Sequence, residues 1–76
     1  MSTKLNKLIA SDINFEIIFD SSYGVSVALG DEDVGWEWDG TYETLDEAVN
    51  ELWKAAKLQH PYAKCFKDAR HLSPYH

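Results

Sequence analysis

The chain has 76 residues, 45% of them hydrophobic and 13% aromatic, which is the composition of a single globular domain spanning residues 1–76. A formal net charge of −6 excludes direct binding to nucleic acid or anionic lipid, because phosphate contacts need a positive surface. The lone Cys65 excludes an internal disulfide, and no apolar run is long enough for a membrane span or a signal peptide, so we expect a cytoplasmic protein.

The first two predicted elements are a short helix and a strand. Residues 2–10 place Leu5, Leu8 and Ile9 at helical spacing, after hydroxyl residues that can cap the first amides. Residues 13–20 alternate apolar and polar side chains with a period of two, which predicts a strand. The side chains predicted on its apolar face are Ile13, Phe15, Ile17 and Phe19.

Two further strands complete a predicted antiparallel meander. Residues 25–29 alternate apolar and small residues after a turn at residues 21–24. An acidic turn at residues 30–33 then leads to a third strand over residues 34–39, which places Trp36 and Trp38 on one face. Asp39-Gly40 is a turn signal, so we expect the third strand to end there.

A second helix is predicted to begin at Leu45. Thr44 and Glu47 have the capping-box spacing, and apolar residues recur every three or four positions from Leu45 to Ala56. Pro61 ends this helix and suits the first turn of a third, over residues 61–72. The predicted fold is α+β, with helices on one face of a three-stranded antiparallel sheet and the order α-β-β-β-α-α.

The carboxylates are concentrated in the middle of the chain. Twelve of the thirteen lie within residues 12–53: Asp12, Glu16, Asp20, Asp31, Glu32, Asp33, Glu37, Asp39, Glu43, Asp46, Glu47 and Glu51. The seven bases all lie outside that stretch: Lys4, Lys7, Lys54, Lys57, Lys64, Lys67 and Arg70. Because the stretch has the alternation of a sheet, we expect its carboxylates on a folded surface.

The sequence contains no convincing catalytic or metal-binding motif. Cys65 and His71 lie six residues apart on one predicted helix and point to different faces, so they do not form a nucleophile and base pair. Cys65 is better interpreted as a small core residue, and His60, His71 and His76 lack the spacing of metal ligands. We therefore predict no enzymatic activity, no metal and no cofactor.

Two interpretations of the acidic stretch remain open. A solvated face that keeps a small protein soluble is ordinary in a chain with a few net negative charges. Clustered like charges destabilise a compact state, however. The absence of interspersed bases therefore favours the second interpretation, a surface whose negative electric field serves to bind a basic protein. Carboxylates on alternate strand residues lie ~6.6 Å apart, the same order as the ~3.4 Å charge spacing along a DNA strand. Such a surface could occupy a basic groove that normally binds nucleic acid.

The segment GTYETLDEAVNELWKAA, residues 40–56, resembles the end of the βββα module of HicB-type antitoxins. In that family a TLEEA-like helix start follows the last strand, and the matching residues here are Thr44, Leu45, Asp46, Glu47 and Ala48. The resemblance implies an antitoxin or small regulatory protein that covers its partner through sheet-edge or helix contacts.

In size, acidity and compactness the whole chain resembles small phage-encoded inhibitors of the anti-CRISPR and anti-restriction kind. This resemblance implies a monomeric, non-catalytic inhibitor that acts in the cytoplasm of a host bacterial cell. Its partner would be a basic nucleic-acid-binding protein, with a CRISPR effector subunit favoured. With Tyr42 as an exposed aromatic anchor, the predicted partner-binding residues are Asp31, Glu32, Asp33, Glu37, Asp39, Tyr42, Glu43, Asp46, Glu47 and Glu51. A protein with no specific partner for its acidic face is the third possibility.

Overall fold

A computed structural model describes residues 3–66, which form two helices and one three-stranded sheet. The elements in chain order are α1 (Thr3–Ala10), β1 (Phe15–Asp20), β2 (Gly24–Asp31), β3 (Gly35–Tyr42) and α2 (Leu45–Gln59). The strands pair antiparallel in the order β1-β2-β3, so the predicted α+β class and the meander are confirmed. The third helix was predicted to begin at Pro61, which is wrong: residues 61–63 form a turn and residues 64–66 are helical. The rest of that predicted helix, residues 67–72, lies outside the described residues.

The two faces of the sheet differ in burial because successive side chains alternate between them. The core face carries Val25, Val27 and Leu29 of β2, which are buried under the helices. The opposite face is called the open face, and its residues are Glu16, Ile18, Ser26, Ala28, Asp39 and Thr41. These residues are exposed or half-buried, and they lie in matched cross-strand positions.

The predicted end of β3 at Asp39-Gly40 is wrong, because the strand continues to Tyr42. Gly40 pairs with Val27 on the core face, where the ring of Tyr42 lies over it. A Cβ atom on Gly40 would stand 2.7 Å from the Tyr42 hydroxyl oxygen and 2.9 Å from a ring carbon. An aromatic ring that covers a strand glycine in this way fills the space left by the missing side chain, and this compensates for the weak strand preference of glycine.

The shared face predicted for the two tryptophans of β3 is also wrong. Trp38 pairs with Leu29 and Trp36 pairs with Gly30, so Glu37 is an extra residue at a bulge. A bulge breaks the alternation of side chains along a strand. Trp38 packs half-buried against the core, whereas Trp36 remains 45% exposed.

Helix α2 begins and ends as predicted. The Thr44 hydroxyl accepts a hydrogen bond from the Glu47 amide at 3.2 Å, and the helix ends at Gln59, just before His60 and Pro61. Its buried residues are Ala48, Val49, Leu52, Ala55 and Ala56. Neither helix within residues 3–66 has the length and apolar character needed to cross a membrane.

Some residues predicted on apolar faces are more exposed than expected. Ile9 near the end of α1, Phe19 near the end of β1 and Leu45 at the first position of α2 all lie largely in solvent. Helix α2 packs on β2 and β3, while its other neighbour is α1. The end of β1 that carries Phe19 is therefore little covered by either helix.

Candidate protein-binding surface

Most of the predicted partner-binding residues lie along one side of the molecule. Strand β3 is an edge strand, the acidic turn at residues 32–34 precedes it, and α2 follows it and packs back against it. We call this side the acidic margin, which comprises Glu32, Asp33, Glu37, Asp39, Glu43, Glu47 and Glu51. The eight residues of β3 span about 24 Å at ~3.4 Å per residue, so the margin is elongated.

The N-terminal half of α2 divides its carboxylates between two flanks. Glu47 and Glu51 lie one turn apart, and both act electrostatically on Tyr42 of β3. Asp46 lies one turn before Asn50, whose side-chain oxygen accepts a hydrogen bond from Lys4 of α1 at 2.7 Å. The structure therefore separates Asp46 from the margin and places it on the flank next to α1.

Asp31 serves the β2–β3 turn. Its Oδ1 atom accepts hydrogen bonds from the amides of Asp33 and Val34, each at 2.8 Å, and its Oδ2 atom accepts one from the side chain of Asn14. A carboxylate with one oxygen bound to the turn and the other to Asn14 is less available to a partner. The sequence contained the signal for this role, because Asp often binds backbone amides two or three residues ahead.

Two carboxylates of the margin have a basic neighbour within the chain. Glu37 Oε1 lies 2.7 Å from His60 Nε2, and Glu51 Oε2 lies 3.2 Å from Lys54 Nζ. The second pair is well exposed, so its contribution to stability is small. Lys64 makes no ion pair with the margin among the described residues, whereas Lys67 and Arg70 lie outside them.

Four other carboxylates on the margin are uncompensated, whereas Glu47 Oε1 accepts a hydrogen bond from the Thr44 hydroxyl at 3.4 Å. The side chains of Glu32, Asp33, Asp39 and Glu43 are exposed, and within residues 3–66 they make no hydrogen bond or ion pair. They line both ends and the middle of β3, so the field of the margin extends along the whole strand.

Tyr42 is half-buried, which corrects the expectation of an exposed anchor. Its ring stacks on Trp38, with the ring centroids 6.4 Å apart, and lies beneath α2. Burial raises the pKa of Tyr42, Glu51 and Glu47 raise it further, and Lys54 lowers it. Tyr23 and Tyr62 are the exposed tyrosines of residues 3–66.

A cleft of about 410 Å³ lies at the end of the sheet beside the β2–β3 turn. The residues that line it include Ser11, Asn14, Glu37, His60 and Tyr62. No local pattern in the sequence could have paired His60 with Glu37, which is 23 positions earlier. Among residues 3–66, no three His, Cys, Asp or Glu side chains are placed to share a metal ion.

Comparison of the chain with protein-family models, with curated proteins and with solved structures gave no match.

Proposed function

We propose that this protein is a non-catalytic binding protein whose acidic margin occupies a basic, nucleic-acid-binding surface of another protein. The observation that supports the proposal is the row of uncompensated carboxylates along β3: Glu32, Asp33, Asp39 and Glu43. Because β3 is an edge strand, no other strand of the sheet lies between this row and a partner.

The dimensions of the margin suit charge mimicry. A length of about 24 Å equals the rise of about seven phosphates along one DNA strand at ~3.4 Å each. Glu37 and Asp39 lie on β3, and Glu47 and Glu51 lie on the capped helix α2. Glu32, Asp33 and Glu43 lie in the short connections on either side of β3, so a partner orders only short segments at a small entropic cost. Long-range attraction to lysines and arginines would speed association, and close pairing would slow dissociation.

The likeness to anti-CRISPR and anti-restriction inhibitors makes a CRISPR effector complex the first partner to test. In this role the protein binds the effector where the guide–target duplex or DNA would lie. It excludes the nucleic acid by occupying that surface, without a catalytic step. A partner bound in this way carries lysines and arginines that otherwise contact phosphates.

A second candidate function is a regulatory partner of the HicB-like kind, and the free edge of β3 favours it. No backbone hydrogen bond joins β3 to a segment outside the sheet within residues 3–66. A partner strand could therefore pair with this edge. Binding of that kind depends on backbone hydrogen bonds and shape, so it would change little with salt.

The experiment that tests the proposal measures inhibition of DNA binding by fluorescence anisotropy across a panel of effector complexes and restriction enzymes. We expect affinity for the inhibited complex to fall steeply between low and moderate ionic strength. A flat response would favour the edge-pairing alternative. Absence of inhibition across the panel would contradict the effector assignment.

Matched variants separate the margin from net charge. The margin triple variant is Glu32→Gln/Asp33→Asn/Glu43→Gln, and the control Asp12→Asn/Asp20→Asn/Asp46→Asn removes the same charge at exposed positions elsewhere. Three exposed ion pairs at roughly 0.5 kcal/mol each predict a loss of about tenfold in affinity for the margin variant alone. Equal losses in the two variants would show that net charge, and not the margin, drives binding.

A further inference from the structure

The open face of the sheet contains a shallow trough of about 280 Å³. The side chains that line it belong to all three strands: Glu16, Ile18, Ser26, Ala28, Asp39 and Thr41. Both helices pack on the other face, so within residues 3–66 no segment of the chain covers the trough.

The register places two carboxylates on opposite walls of this trough. Glu16 pairs with Ala28, and Ala28 pairs with Asp39, so the three residues form one row across the sheet. The two outer Cα atoms are separated by two strand spacings, about 10 Å. The floor between the carboxylates is a single methyl group, and neither carboxylate has a partner in the described part of the chain.

The next row supplies a polar and an apolar contact beside the carboxylates. Ser26 pairs with Ile18 on one side and Thr41 on the other, and the two hydroxyl oxygens lie 3.3 Å apart. Those hydroxyls bind each other across the two strands, so they add a polar surface beside the carboxylates. Ile18 is 55% exposed and offers aliphatic surface along the trough.

A side chain that fits this site must be cationic, narrow and able to donate hydrogen bonds in two directions. Arginine meets these requirements, because its planar guanidinium has donors along both edges and its aliphatic stem can lie on Ile18 and Ala28. Lysine presents a compact, strongly hydrated charge that would bind one carboxylate at a time. A second copy of the chain is disfavoured, because face-to-face contact would bring Glu16 and Asp39 against carboxylates of the same kind.

We infer that the open face is an arginine-docking trough, in which Glu16 and Asp39 clamp the guanidinium of a basic partner over Ala28. The inference rests on the proposed function, since it names a contact for the same class of partner on a face next to the acidic margin. Asp39 belongs to both surfaces, so one basic segment could extend from the margin onto the open face.

The test is a titration of the ¹⁵N-labelled protein, followed by NMR, with the blocked peptide Gly-Arg-Gly-Arg-Gly. Two matched peptides replace arginine with citrulline, which is isosteric and neutral, or with lysine. We expect saturable shifts at the amides of Ser26, Ala28 and Thr41 with arginine, weaker binding with lysine and none with citrulline.

The Glu16→Gln/Asp39→Asn variant should bind the arginine peptide about fivefold more weakly, the value expected from two exposed ion pairs. The Asp12→Asn/Asp46→Asn variant loses the same charge outside the trough and should bind like wild type. Equal binding by the two variants, or equal shifts with citrulline or lysine, would overturn the inference.

The result also separates this inference from the proposed function. Shifts confined to residues 31–33 and 43–51 would overturn the trough, while arginine binding at the margin would still support the proposed function. A trough that binds arginine, combined with an effector that is insensitive to the margin triple variant, would uphold the trough and remove the proposed function. Absence of peptide binding anywhere would overturn the trough.

Discussion

The Gly40→Ala substitution tests how the edge strand that carries the acidic margin is held in place. A Cβ atom at this position would stand 2.7, 2.9 and 3.0 Å from atoms of the Tyr42 ring and hydroxyl. Each distance is shorter than van der Waals contact, so the ring must move away from the strand and from Trp38. Because the ring is half-buried beneath α2, it has little room to do so.

The expected magnitude follows from two opposing effects. Overpacking of this kind costs about 1–3 kcal/mol, whereas replacing a strand glycine with alanine gains roughly 0.5–1 kcal/mol. We expect a net loss of about 1 kcal/mol in the free energy of unfolding, which lowers Tm by about 4–8 °C in a domain of this size.

Urea denaturation followed by tryptophan fluorescence measures this change, and a double-mutant cycle assigns it to the ring. In a Tyr42→Leu background the obstruction is gone, so Gly40→Ala should become neutral or stabilising. If Gly40→Ala stabilises the wild-type chain as much as it stabilises the Tyr42→Leu chain, the ring does not occupy the space over Gly40, and the account of why β3 continues past this glycine is wrong.

Three further predictions concern the glycines on either side of the β2–β3 turn, the Thr44 cap and the half-buried Tyr42. Gly30→Ala should lower the free energy of unfolding by more than about 3 kcal/mol, because φ is +112° and a Cβ atom would collide with the backbone of Gly35. Gly35→Ala, at φ +102° but with open space around the Cβ position, should lower it by about 1 kcal/mol, and similar urea midpoints for the two variants would contradict this. Thr44→Ala should lower stability by about 1 kcal/mol and Thr44→Ser should restore most of it, since the hydroxyl caps α2; equal thermal stability of the two variants would exclude the cap. Because the pKa of Tyr42 is raised in the folded state, the unfolded chain loses the hydroxyl proton at lower pH than the folded chain. The wild-type protein should therefore lose stability, relative to the Tyr42→Phe variant, as the pH rises past 10.0. Urea midpoints of the two proteins that change in parallel from pH 8 to 11 would refute this prediction.

Local patterns carried enough information to predict most of the fold. The period-two alternation of residues 13–20 identified β1, and the Thr44 cap and Pro61 located the two ends of α2. Each of these signals depends on residues close together in the chain, whose preferences act before any tertiary contact forms. The order of the three strands followed because short connections favour antiparallel neighbours.

The errors arose where a distant or cross-strand contact overrides a local preference. Asp39-Gly40 has the composition of a turn, yet the ring of Tyr42 covers Gly40 and the strand continues. The bulge at Glu37 depends on the pairing of β2 with β3, so no pattern within β3 could separate Trp36 from Trp38.

The sequence by itself determined that this is an acidic α+β protein with its carboxylates in the middle of the chain. Only the tertiary structure decided which carboxylates share a surface, because strand order and helix rotation set that arrangement. They place Glu47 near Tyr42 of β3 and turn Asp46 toward α1. They also engage Asp31 in a turn and set Glu16 opposite Asp39 across Ala28. Charge composition is a property of the chain, whereas an electric field with a direction requires fixed positions in space.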